Sequence, residues 1–176
     1  DKYYLKEYYD AECDIVKKLN EINNNKINIE KNLDKYLEKI ENDFEIKYNE
    51  EQKNAIKSIF DSNIIIITGG PGTGKTTIIK GILELYKRVF KYSDDGMNMR
   101  VSLIAPTGRA SKRMSETTKY GASTIHRYLK WNKETNTFSM NEFNKTNEEL
   151  IIVDETSMID TVLFDSLLKA IRKNVK

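Results

Sequence analysis

The stretch Ile64-Ile65-Ile66-Ile67-Thr68-Gly69-Gly70-Pro71-Gly72-Thr73-Gly74-Lys75-Thr76-Thr77 runs an apolar segment straight into a glycine-rich loop. The apolar part reads as a strand. Ile78, Ile79, Ile82, Leu83, Tyr86 and Val89 then recur at helical spacing, so the junction is strand, loop and amphipathic helix. That context makes G-x-x-x-x-G-K-[ST], Gly69 through Thr76, a phosphate-binding loop rather than a glycine-rich turn with a chance lysine. Glycines let the backbone turn without a Cβ in the way and aim successive N–H groups inward. The positive end of a helix starting near Lys75 completes an anion site. Gly70, Gly72, Thr73, Gly74, Lys75, Thr76 and Thr77 are therefore the candidate nucleotide contacts. Lys75 reaches the β- and γ-phosphates as a point charge, and the Thr76 hydroxyl is placed for Mg²⁺.

A carboxylate for that Mg²⁺ is expected at Leu150-Ile151-Ile152-Val153-Asp154-Glu155, an apolar run ending in two acids. Such a strand delivers both carboxylates to the sheet edge where open α/β sheets bind ligands. Asp154 is the candidate metal partner and Glu155 the candidate base that orients water at the γ-phosphate. Taken alone, the pair fits equally a buried strand followed by an acidic helix start.

At 176 residues the chain can bury one core, or one domain plus an extension. A net charge of +2 decides nothing about partners, but Arg109, Lys112, Arg113, Lys119, Arg127, Lys130 and Lys133 cluster against only Glu116. Such a run suits a phosphate-facing surface, although a solvated face is the commoner meaning. Lone Cys13 allows no internal disulfide and reads as a small half-buried apolar residue. With no membrane-length apolar run and no signal-type N-terminus, the expected location is cytoplasmic. The start at Asp1 without methionine and the stop at Lys176 read as an excised piece of a longer chain.

Residues 1–46 read as a helical extension, with Leu5, Tyr8, Ile15, Leu19 and Ile22 spacing one helix and Ile29, Leu33, Tyr36, Leu37 and Ile40 another across an Asn23-Asn24-Asn25 break. Residues 47–176 form the ATPase unit. Asn49 with Gln52 makes a capping box for a third helix. Beyond the loop helix come a turn at Ser93-Asp94-Asp95-Gly96, a strand at Val101–Ala105, a helix over 108–118 and a short helix from near Ser123. Trp131 and Phe138 flank a hairpin. Strands alternating with helices predict a parallel, three-layer α/β sheet.

Phosphate loops and Asp-Glu strands are shared by many enzymes; the segments between them are more specific. Leu103-Ile104-Ala105-Pro106-Thr107-Gly108-Arg109-Ala110 and Ala122-Ser123-Thr124-Ile125-His126-Arg127 lie in order between Tyr48-Asn49-Glu50-Glu51-Gln52 and Val153-Asp154-Glu155-Thr156-Ser157-Met158. In this the chain closely resembles the RecD/TraA family of superfamily 1 DNA helicases, from about residue 4 to the end. The resemblance implies a RecA-like P-loop fold with ATP and Mg²⁺ as cofactors, and Gln52 as the adenine contact. It implies that Pro106, Thr107, Gly108 and Arg109 lie along single-stranded DNA, with Ser123, Thr124 and His126 beside them. Hydroxyls, backbone N–H groups and cations grip phosphates without reading sequence, which suits such a role.

By the same resemblance the intact protein is an ATP-hydrolysing helicase that moves 5′ to 3′ on single strands and duplex ends, with a role in recombination or repair. Whether it works alone or in a nuclease complex stays open. The family's sensor strand, second RecA-like domain and arginine finger would lie beyond Lys176. Because an arginine finger is worth roughly 10³–10⁵ in related hydrolases, this stretch alone is expected to bind nucleotide weakly and turn it over poorly. A strand following the acidic pair normally inserts beside the loop strand in this fold, so an open slot and exposed strand edges are expected, with marginal stability.

A GTPase is disfavoured because Asn144-Lys145-Thr146-Asn147 ends in an amide where guanine needs a carboxylate. A remodelling ATPase shares the loop and the acids but does not call for the Thr107 and Thr124 segments. A docking module would fit the tyrosine-rich N-terminus.

Overall fold

A computed structural model describes residues 3–24, 32–70 and 72–176; Asn25, Ile29 and Pro71 of the expectations above lie outside them. The helices are α1 (Lys6–Asn23), α2 (Leu33–Asp43), α3 (Glu50–Lys57), α4 (Lys75–Phe90), α5 (Asp94–Arg100), α6 (Gly108–Thr118), α7 (Ile125–Tyr128) and α8 (Thr161–Ala170). The strands are β1 (Val101–Ala105), β2 (Ala122–Thr124), β3 (Trp131–Asn132), β4 (Thr137–Phe138) and β5 (Leu150–Val153).

Side-chain caps set most of the helix starts. Asn49 Oδ1 accepts from Gln52 N at 2.8 Å while Gln52 Oε1 accepts from Asn49 N at 3.1 Å, the reciprocal capping box expected for α3. Ser93, Thr107, Thr124 and Asp160 cap α5, α6, α7 and α8 in the same way. The 93–96 segment, expected as a turn, is thus a helix start: Met97, fully buried, carries it on into the core. At Ser123 the order also differs, because β2 precedes the short α7. Cys13 is exposed rather than half-buried, on a helix that buries only Ala11 and Ile22 fully.

The sheet runs β2-β1-β5, all parallel. Alternation of side chains along β1 and β5 divides the core between two faces. Val101, Leu103, Ala105, Leu150 and Ile152 face α2, α3, α4 and α6, whereas Ile104, Ile151 and Val153 face α1, α7 and α8. This is the three-layer arrangement of an incomplete RecA-like P-loop fold. Leu37 and Ile40 of α2 are buried in the same cluster as α4. β3 and β4 pair Trp131 with Phe138 in the expected hairpin.

The segment ahead of the phosphate loop also departs from expectation. Residues 64–68 are extended in sequence character but form no strand, and Ile66 is 83% exposed. Between them and β5 lies a cleft of about 560 Å³, walled by Ile64, Ile67, Ile79, Ile151 and Phe164. On the β5 side, Lys176 N donates to Glu149 O at 2.9 Å and Ile151 N to Lys176 O at 2.8 Å, so Lys176 pairs with the start of that edge. Across the cleft the 64–68 run meets no strand among the described residues, and strand propensity without a ladder partner leaves a bare edge.

Candidate functional site

The phosphate loop gets its shape from two left-handed glycines, Gly72 at φ +79° and Gly74 at φ +84°. Gly74 is also the residue from which α4 begins, so the first free N–H groups of that helix open onto the loop. Lys75 Nζ donates to Gly69 O at 2.6 Å and Gly70 O at 2.8 Å, and Thr73 Oγ1 to Gly70 O at 3.0 Å. The ammonium is thereby held over the loop where phosphate oxygens would compete for it. Gln52 is brought against the same loop, since a Cβ placed on Gly74 would sit 2.8 Å from Gln52 Nε2.

Asp154 follows β5 and lines the cleft together with Lys75 and Thr156. Its N–H donates to Ile104 O at 3.0 Å, which fixes it to β1, and its Oδ1 accepts from Glu155 N at 2.9 Å. Glu155 is exposed and left-handed at φ +52°, a conformation an L-residue holds only at some expense. It leads into a 3₁₀ turn, Thr156–Met158.

The remaining candidates sit at the C-terminal edge of the sheet. The register pairs Ala105 with Thr124 and Ile104 with Val153, so the residues after all three strands emerge side by side. Pro106 and Thr107 follow β1, Thr107 Oγ1 accepts from Ala110 N at 3.2 Å, and Gly108 and Arg109 are exposed in the first turn of α6. Ser123 and Thr124 are half-buried in β2, with Thr124 Oγ1 accepting from Arg127 N at 3.2 Å. His126 is exposed, its ring 6.1 Å from Trp131 and 5.8 Å from Phe138, the two aromatics that pair across the hairpin. All seven basic residues from Arg109 to Lys133 are exposed.

The chemistry of the donors fits nucleotide and Mg²⁺. Inward N–H groups and a flexible cation suit a polyphosphate. Thr76 and Asp154 offer two oxygen ligands, and among the described residues no group of three or more His, Cys, Asp or Glu is placed to hold a metal. That is how Mg²⁺ is ordinarily held, by one or two protein oxygens with the balance from phosphate and water. Spacing had not revealed the aromatic neighbours of His126, or that Glu148 and Glu149, ahead of β5, gather hydroxyls from several elements. A glutamate pair before a strand carries no motif signal. Among the described residues no helix is long and apolar enough to cross a membrane.

The AAA domain family matches residues 52–176. The chain is 36% identical over 122 residues to the ATP-dependent RecD2 DNA helicase of Deinococcus radiodurans, covering 69% of this chain and 16% of that protein. It is 33% identical over 196 aligned positions to the RecBCD enzyme subunit RecD of Buchnera aphidicola subsp. Schizaphis graminum, covering 100% of this chain and 31% of the relative. The subunit of the same name from Mycolicibacterium smegmatis is 32% identical over 144 residues, 72% of this chain and 26% of its own length. The chain thus spans about a third or less of the relatives it matches.

Proposed function

The chain belongs to the AAA domain family, as a RecD-like helicase N-terminal part, and from that premise we propose that it is the nucleotide-binding half of a DNA-translocating motor. Residues 47–176 are its first RecA-like domain and residues 1–46 a helical extension. Gly70, Gly72, Thr73, Gly74, Thr76 and Thr77 receive the triphosphate, Lys75 neutralises its outer phosphates and Gln52 faces the base. Thr76 and Asp154 would hold Mg²⁺, which would offset the charge of the phosphates. Glu155 orients the attacking water. Pro106 to Arg109, Ser123, Thr124 and His126 lie along single-stranded DNA. In the whole protein, hydrolysis drives stepping along one strand, 5′ to 3′, and unwinding from duplex ends in recombination and repair, a task compatible with membership of a nuclease complex.

The observation that carries this reading is the shared register of β2, β1 and β5, which aligns Thr124, the Pro106-Thr107 turn and Asp154 along one edge. A ligand gripped by the first two and a nucleotide held by the third would be neighbours through β1. The experiment is ATP turnover by the full-length protein with and without a single-stranded oligonucleotide. Strong stimulation, abolished in Lys75→Ala, is the expected result. Turnover indifferent to DNA would replace the motor with a remodelling ATPase, and full turnover in Lys75→Ala would refute the loop assignment.

A further inference from the structure

The acidic pair ahead of β5 joins the two faces of the sheet. Successive residues of an extended chain point to opposite sides, and Glu148 and Glu149 do so. Glu149 Oε2 accepts from Tyr86 Oη at 3.2 Å and Tyr92 Oη at 2.9 Å, and its Oε1 from Arg100 Nε at 3.0 Å. Glu148 Oε2 accepts from Tyr128 Oη at 3.0 Å and its Oε1 from Ser102 Oγ at 3.1 Å. Tyr86 belongs to α4, the helix that opens at the phosphate loop. Tyr128 ends α7, the helix that Thr124 caps and that carries His126 and Arg127.

These bonds are of the stronger, charge-assisted kind. Burial first, and then the Glu148 carboxylate, hold the Tyr128 phenol above its ordinary pKa against an opposing hydrogen bond with the Thr146 side chain, so it stays a donor to Glu148 across the working range. From this pair the chain runs directly through β5 to Asp154. One strand is therefore tied at its base to a helix of the nucleotide side and to a helix of the opposite face, and bears the candidate metal ligand at its tip.

We propose that Glu148 is a positioning residue that, through Tyr128, couples movement of the Ser123–Arg127 segment to the strand ending in Asp154. The role rests on the motor reading above, because it needs a ligand at each end. A strand gripping the Thr124 edge shifts α7; with Tyr128 bonded to Glu148 that shift is passed to β5, and without the bond α7 loses this tie to the strand. Ser102 still holds Glu148 when Tyr128 is cut, so the seat of β5 persists.

The test is the ratio of DNA-stimulated to basal ATP turnover in the full-length protein, with ATP KM and thermal stability measured beside it. Tyr128→Phe removes one hydroxyl and should lower the ratio at least about fivefold, the lower end of ordinary coupling between sites, with basal kcat and KM unchanged. Glu148→Ala should match it, the double variant should be no worse than either single one, and Glu148→Gln, which keeps an acceptor oxygen, should retain stimulation. An unchanged ratio in Tyr128→Phe overturns the proposal, as does a loss of basal turnover in step with stimulated turnover, which would mark a purely structural bond. Absence of stimulation in the unaltered protein would instead sink the motor reading, and the coupling role with it.

Discussion

Replacing Gly74 with alanine tests the phosphate loop and the placement of Gln52 together. Gly74 stands at φ +84°, and an L-residue held in that left-handed region costs about 1–2 kcal/mol. The new Cβ would also sit 2.8 Å from Gln52 Nε2, so the amide must swing away. In doing so it releases the Asn49 N–H that its Oε1 accepts at 3.1 Å, about 1 kcal/mol for half of a capping box. The expected total is about 2–3 kcal/mol, read as a loss of roughly 30- to 150-fold in affinity for a fluorescent ATP analogue at about 1.4 kcal/mol per decade. The two contributions separate in a double-mutant cycle. Gln52→Ala removes the obstacle but not the dihedral strain, so Gly74→Ala with Gln52→Ala should lose about 1 kcal/mol less than the sum of the single changes. Additivity within roughly 0.3–0.5 kcal/mol, the level expected of independent sites, would mean that Gln52 does not abut the loop and that its place beside the nucleotide is wrong.

Glu155→Gln is expected to keep ATP bound while turnover falls by two or more decades, roughly the worth of a positioned general base; loss of binding in a filter or fluorescence assay would make Glu155 structural. For Arg109→Ala, single-stranded DNA binding should weaken and its salt slope shrink by about one charge while ATP affinity holds, and an unchanged titration would remove Arg109 from the DNA path. Burial first, then the Glu41 and Glu84 carboxylates, push the Tyr48 phenol up to about 12. A raised folded-state pKa means stability that is complete below the unfolded value of about 10 and lost as pH climbs toward 12. Because the Tyr48 hydroxyl is buried without a hydrogen-bond partner among the described residues, Tyr48→Phe should be neutral or up to about 1 kcal/mol more stable in urea and should lose part of the alkaline fall; a marked destabilisation would expose an unseen partner. In amide hydrogen exchange, the β1 amides should be protected and those of Ile64 to Thr68 should exchange nearly as fast as free peptide, whereas strong protection at 64–68 would show that this edge finds a ladder in solution.

The elements legible in the sequence are those whose signal is local. The box at Asn49 and Gln52, the helix over 108–118 and the apolar stripe from Ile78 to Val89 each rest on signals within a few residues, and each stands where expected. Ser93 reads as a turn in sequence because a turn and the first turn of a helix share the same side-chain bond; what extends it is the burial of Met97, a tertiary fact. Cys13 failed for the complementary reason, since a helix's spacing does not say how much of its apolar face a neighbour covers. At the site, type and spacing marked Lys75 and Asp154, which do line one cleft. The contact of Gln52 with Gly74 and the hydroxyls gathered on Glu148 and Glu149 depend on how α3, α4 and α7 dock, which no periodicity encodes.

In the 64–68 run, sequence and structure disagree over the segment that anchors the phosphate loop. Four isoleucines and a threonine have about the strongest preference for extended backbone available, yet that preference reflects packing in a sheet, and here the neighbouring edge lies across a cleft of about 560 Å³. The loop is consequently held firmly on one side by α4, whose stripe is buried, and on the other only by side chains such as Ile65 and Ile67 that pack partly against the core. A phosphate site works by having its N–H groups fixed before the ligand arrives, and ordering them on binding subtracts from affinity. Any strand that paired with both β5 and Ile64 to Thr68 would therefore tighten the nucleotide site without touching the nucleotide. A half-anchored loop would lower affinity for ATP, whereas loss of a positioned catalytic group such as Glu155 would lower turnover at saturating ATP, and the two effects part experimentally.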